Sequence, residues 1–181
     1  MSNHPFSSDV FEKNLGYTFD DISVQIAHAQ DVSGRARTGY YRVAILLAAS
    51  CVEATLYEYI TKACQNDPAI VQRVRRFNSK RGAKTLVKLP KAELGTAKEL
   101  WICEIERTQV DRTTSFKEMN DFCLEARLIS PKLYKSLEYV RNKRNDIHFQ
   151  TLQTADRHYN SQMLERVANV FLRVLSKLEE L

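Results

Sequence analysis

The stretch "RNKRNDIHF", residues 141–149, crowds Arg141, Asn142, Arg144, Asn145 and His148 into about two helical turns. An imidazole titrating near neutrality can shuttle a proton. A guanidinium fixed beside it can hold a phosphate bidentately and offset charge developing in a phosphoryl transition state. A side-chain amide can orient either that phosphate or a ribose hydroxyl. Arg, Asn and His without clustered carboxylates are the parts for metal-independent RNA cleavage, in which the substrate's own 2′-hydroxyl attacks the adjacent phosphorus. Metal-dependent hydrolysis would want two or more carboxylates converging with the His, and Asp146 alone does not supply them. No metal or cofactor is therefore expected.

Helical phase divides these residues. At about 100° per residue, Leu133, Leu137, Val140 and Ile147 share one stripe, and Arg144 falls in its middle. Arg141 and His148 stack along the edge of that stripe, with Asn145 between them. A buried Arg costs several kcal/mol unless paired, so the seam should face a cleft, a carboxylate or a partner subunit. A purely structural alternative stands beside the chemical one: Arg144 paired with an internal Glu such as Glu53, and His148 serving as a helix-end cap.

The elements that must position this cluster read as helices. The 181 residues are enough for one domain with a sizeable core, 1–181, with 1–15 as a flexible N-terminus. Only 5 Gly and 4 Pro are present, few for a chain that must turn many strands. Phe19, Ile22 and Ile26 mark a first helix within 7–34, and "SGRARTG" breaks the pattern. Tyr41, Ile45, Ala48, Val52, Leu56 and Ile60 then keep a three-or-four spacing over about five turns. Asp67-Pro68 reads as an N-cap with Pro at the first helical position of a short helix.

Residues 91–128 are expected to hold one or two helices, with Leu94, Leu100, Trp101 and Ile105 in the core. Phe116, Met119, Phe122, Cys123 and Leu128 form the next stripe, capped by Ser115 or Thr114. Ser130-Pro131 repeats the cap signal and opens the helix bearing the cluster. A last helix follows, its seam running through Leu164, Val167, Phe171, Val174, Leu178 and Leu181. No strand is convincing, and the expectation is an all-α bundle of five to seven helices.

Charge adds a second feature. The net charge is +5, and no acidic residue occurs from Pro68 to Ala92. Arg73, Arg75, Arg76, Lys80, Arg81 and Lys84, with Lys88 and Lys91 beyond them, make that segment either a solvated basic loop around "FNSKRGAK" or an electrostatic footprint for RNA phosphates. The longest apolar run, "VAILLAASCV" from Val43, is far short of a bilayer span, so no membrane partner is expected. "MSNHPFSSDVFEKN" lacks the layout of a secretory signal, which makes cytoplasmic residence the expectation. Cys51, Cys64, Cys103 and Cys123 form no C-x-x-C pair and read as reduced core thiols.

On these residues the sequence resembles the HEPN superfamily, all-α domains many of which are ribonucleases in toxin–antitoxin, CRISPR and phage-defence systems. Their motif is Arg, four to six residues, then His, often with a polar residue such as Asn directly after the Arg. Arg141-Asn142 followed by His148 fits the six-residue spacing, whereas Arg144-Asn145 leaves only three residues and falls outside it. Arg144 and Asn145 thus become auxiliary. The family also tends to carry an early alanine-rich helix with a Glu, which "RVAILLAASCVEATLYEYI" with Glu53 resembles. Some members have a Tyr two residues after the His, where this chain has Gln150.

What the resemblance implies is a HEPN-like homodimer with one cleft built from two copies of the motif. One His148 would take the 2′-hydroxyl proton and the other would protonate the leaving 5′-oxygen, while the Arg141 pair stabilises the phosphorane. Products would carry a 2′,3′-cyclic phosphate and a 5′-hydroxyl. The biological role implied is a toxin or defence effector held in check by an antitoxin or regulatory protein. The competing reading is a non-catalytic helical module that binds RNA or nucleotide, or that mediates protein interaction.

Overall fold

A computed structural model of the chain describes residues 8–73, 83–89, 100–105, 114–147 and 159–181. The elements are α1 (Ser8–Asp31), α2 (Gly34–Asn66), a short α3 (68–73), β1 (Ala83–Leu89), β2 (Leu100–Ile105), α4 (Phe116–Glu125), α5 (Pro131–Asp146) and α6 (Ser161–Glu179). The fold is an all-α helical bundle apart from a two-stranded sheet, β1–β2. The long α2 is its centre, packing against α1 and α6 along its length and against α5 and α4 at its sides.

Local chemistry sets most of the helix starts. Ser130 Oγ accepts from Leu133 N at 3.2 Å, and Pro131, which has no N–H to leave unpaired, follows as the first residue of α5. Ser115 and Glu118 form a reciprocal capping box at α4: Glu118 N donates to Ser115 Oγ at 3.3 Å, and Ser115 N donates to Glu118 Oε2 at 2.8 Å. Asp67 Oδ1 accepts from Ala69 N at 2.8 Å to open α3, and Asn160 Oδ1 accepts from Met163 N at 3.0 Å to open α6. The three expected cap sites, Ser115, Ser130 and Asp67, are all used.

The core follows the periodicity. Ile45, Val52, Leu56 and Ile60 are fully buried on α2, with Ala48 between them. Leu133, Leu137 and Val140 of α5 meet them from one side, and Leu164, Val167, Phe171, Val174 and Leu178 of α6 from another. Leu181, expected at the end of the α6 seam, is exposed beyond the helix. Cys51 and Cys123 are buried free thiols and Cys64 is a half-buried one. Burial raises Cys51 to about 11 and holds Cys64 and Cys123 above the ordinary thiol range.

Several sequence expectations change. "SGRARTG" does not break the chain for seven residues: only Val32 and Ser33 separate α1 from α2, which starts at Gly34 with φ +60°. Arg37 braces the tight corner: its Nε donates to the carbonyl of Ala29 in the last turn of α1 at 3.1 Å and to that of Val32 in the connection at 2.8 Å. α1 already begins at Ser8, and Phe11 and Leu15 pack on the core, so the expected flexible stretch is helical from 8 to 15. Residues 100–105 are strand rather than helix. They pair antiparallel with β1 in the register Ala83↔Ile105 to Leu89↔Leu100, with an irregularity between Thr85 and Val87. Leu94 lies outside the described residues.

α2 also corrects the reading of the apolar run at Val43. Its 33 residues include an 18-residue window of mean hydropathy 1.5, so by length and composition it could cross a membrane. In the fold, 56% of that window is buried inside the protein, as the central helix of a bundle requires.

Candidate functional site

The last two turns of α5 carry the cluster. Phase places Arg144 on the seam facing α2, where Glu53 stands. Arg144 Nη1 donates to Glu53 Oε1 at 3.1 Å and lies 2.9 Å from Oε2. The seam arginine therefore has the internal carboxylate partner that its phase demanded. Burial pushes the Glu53 carboxyl above its usual range, while the charge and hydrogen bond of Arg144 pull it back.

Arg141 sits on the neighbouring edge, and it too has a carboxylate. Its Nε donates to Glu138 Oε1 at 3.1 Å and Oε2 at 3.2 Å, and Nη2 donates to Oε2 at 2.8 Å. This fork engages one side of the guanidinium. Of its five N–H groups, three make no hydrogen bond among the described residues. The bond to Glu138 holds the Arg141 pKa above its usual value.

Glu138 is itself held from beneath. Asn120, fully buried on α4, donates through Nδ2 to Glu138 Oε1 at 2.7 Å. Burial tends to raise the Glu138 carboxyl, but the bonds from Arg141 and Asn120, with the charges of Arg141 and Lys117, leave it below the usual carboxylate range. Asn120 Oδ1 is buried with no hydrogen-bond partner among the described residues. Alongside this chain, Tyr134 OH donates to Asp121 Oδ1 at 2.9 Å, and Lys117 pairs with the same carboxylate at 3.4 Å. The guanidinium of Arg166 on α6 lies 3.7 Å from the centroid of the Tyr139 ring.

Asn142 and Asn145 are both exposed on α5. The helix ends at Asp146, with Ile147 as its C-cap, and His148 lies outside the described residues. Arg141 and Asn145 stand four residues apart on α5, and the expected stack with His148 lies outside the described residues. Of the basic segment, Arg75, Arg76, Lys80 and Arg81 lie outside the described residues, and Lys84 is placed by its backbone in β1. Arg73 is exposed on α3, and its Nη1 donates to the carbonyl of Ala126 at 2.9 Å, which ties α3 to the end of α4. No group of three or more potential metal ligands occurs among the described residues.

Glu53 has a second face. It lines a groove of about 440 Å³ between α1, α2 and the start of α4, with Phe11, Leu15, Tyr57 and Met119 as apolar walls and Asn14 and Glu58 at its polar margin. The ion pair with Arg144 connects that groove to the α5 seam.

Sequence reasoning missed Glu138 and Asn120. Glu138 stands three residues before Arg141, a spacing at which helical side chains meet. Asn120 announces itself as the one amide within the apolar stripe of Met119, Phe122 and Cys123. Comparison with protein-family models, with curated proteins and with solved structures finds no match.

Proposed function

We propose that the chain is a metal-independent endoribonuclease of HEPN type that works in the cytoplasm as a homodimer, with Arg141, Asn142 and His148 of each copy contributing to one cleft. The observation that carries this reading is Arg141 itself. Its guanidinium is oriented by Glu138 from one side while three N–H groups make no hydrogen bond among the described residues and could meet a phosphate, seven residues before the motif histidine. Asn142, adjacent and exposed, is suited to a phosphate or ribose hydroxyl. His148 takes the 2′-hydroxyl proton in one copy and protonates the leaving 5′-oxygen in the other, so that cleavage leaves a 2′,3′-cyclic phosphate and a 5′-hydroxyl. A basic segment including Arg75, Arg76, Lys80, Arg81 and Lys84 supplies the attraction for RNA. The role follows as a toxin or defence effector restrained by a protein partner.

Purified protein should cleave RNA in EDTA, and His148→Ala and Arg141→Ala should each abolish cleavage with the helical signal unchanged. Cleavage that persists in both variants rejects the proposal.

One observation favours a second reading, a non-catalytic RNA-binding or protein-interaction module. Arg141 and Arg144 both have intramolecular carboxylate partners, an arrangement that also serves helix packing. That reading expects salt-dependent RNA binding without turnover.

A further inference from the structure

Helix α1 has two faces. Ile22 and Ala29 are buried on one, with Phe11, Leu15 and Ile26 half-buried beside them against the core. On the side turned away from α2 lie Val10, Tyr17 and Val24, 43%, 58% and 50% exposed. They are spaced seven apart and drift only about 20° per step, so they form one stripe along the helix. Together they make one apolar stripe on a helix face that is otherwise polar.

The residues beside the stripe show what covers it. Lys13 and Asp20 flank it on one side, Asn14 and Asp21 on the other, and all four are exposed. Among the described residues neither aspartate has an ion-pair partner. Lys13 only leans over the Tyr17 ring, its Nζ 5.9 Å from the centroid. The valines are symmetric about Tyr17, at seven before and seven after, while the flanks are complementary: base and amide at four and three before, acids at three and four after.

We propose that this face is an isologous contact between two copies of the chain, with the α1 helices antiparallel and the two-fold axis passing by Tyr17. A two-fold perpendicular to both helices places Val10 of one copy opposite Val24 of the other and Tyr17 opposite Tyr17. It also keeps each flank on its own side. Lys13 then meets Asp20 of the second copy, twice over, and Asn14 meets Asp21. A parallel pairing would instead bring all four carboxylates of Asp20 and Asp21 to one level, and slipping the antiparallel register by seven leaves a valine uncovered. Charge thus selects both the direction and the register of the contact. The nuclease reading also brings two copies together, about a cleft at α5; RNA cleavage decides that reading, and the cysteine cross-links decide this contact.

Single cysteines on the full chain test the geometry. Tyr17→Cys should cross-link to itself on mild oxidation, because facing Cα atoms at the axis of a helix pair come within disulfide reach. Val10→Cys and Val24→Cys should each fail to cross-link alone, since like positions lie about 20 Å apart. Mixed together they should form the disulfide dimer, with wild-type protein as the blank for the native thiols. In sedimentation, Lys13→Glu should weaken self-association by about tenfold or more, and adding Asp20→Lys should restore it. Absence of the Tyr17→Cys cross-link, self-linking of Val10→Cys, or Lys13→Glu without effect on association overturns the proposal.

Discussion

Arg144 and Glu53, 91 residues apart in the chain, form the ion pair that joins the last turn of α5 to the middle of α2. Both side chains are about a quarter to a third exposed, so the pair is neither a solvated surface contact nor a fully buried one. Its charge-assisted hydrogen bonds should contribute more than an exposed pair and less than a buried one. Arg144→Ala leaves the Glu53 carboxylate half-buried beside Phe11 and Met119 without its cation. We expect that variant to lose about 1–3 kcal/mol in urea denaturation. A double-mutant cycle with Glu53→Ala should return a coupling above the roughly 0.5 kcal/mol typical of exposed helix pairs. Additive single losses would mean that the pair is bystander geometry.

Acid should separate the two carboxylates that hold arginines. Glu138 sits below its ordinary value of 4.5 in the fold, so its contribution is present above that value and is lost as pH falls through the lower folded one. The stability difference between wild type and Glu138→Gln should therefore be constant from neutrality down to about pH 5 and collapse below it. Glu53 runs the other way. Burial raises its folded value, so the fold favours the protonated acid, and wild type should gain on Glu53→Gln as pH falls through that raised value. Denaturation series on the two variants between pH 7 and pH 3 should show slopes of opposite sign, and slopes of the same sign would refute the assignment.

The same two pairs show what a sequence can and cannot disclose. Arg144 was legible because a charge in the centre of an apolar stripe must find a partner, and Glu53, in the middle of the long apolar helix, was one internal carboxylate able to supply it. The capped starts at Ser115 and Ser130 were legible because a single side-chain oxygen decides them. Glu138 was hidden for the opposite reason. An acidic residue on the wet edge of a helix is ordinary, and only the buried Asn120 beneath it, supplied by another helix, marks it as held. Residues 100–105 misled because Leu, Trp, Ile and Glu suit either element, and strand pairing with 83–89 is a long-range choice. Gly34 and Gly39 suggested a break after α1, yet Arg37 braces the corner and the next helix starts at once. Whether Arg141 and His148 meet a phosphate is a property of chemistry beyond α5, and the cleavage assay answers it.

Three backbone positions make a last prediction with opposite signs. Gly16 lies inside α1, and a Cβ there would meet nothing within 4 Å, so Gly16→Ala should stabilise the protein by about 0.5–1 kcal/mol through helix propensity alone. Gly34 also faces open space, but its φ is +60°, where a Cβ crowds the chain, and Gly34→Ala should cost about 1 kcal/mol. Arg127 occupies the same left-handed region, at φ 59°, one residue past the C-cap of α4. There the amide of Leu128 donates to Cys123 O at 2.8 Å and that of Arg127 to Leu124 O at 3.1 Å, the paired bonds of a Schellman ending that usually carries glycine. Arg127→Gly should accordingly stabilise, by up to about 1 kcal/mol, against the greater freedom glycine gives the unfolded chain. Thermal denaturation of the three variants gives the test: the midpoint should rise for Gly16→Ala and Arg127→Gly and fall for Gly34→Ala. A rise for Gly34→Ala would mean that α2 does not begin with a left-handed residue at all.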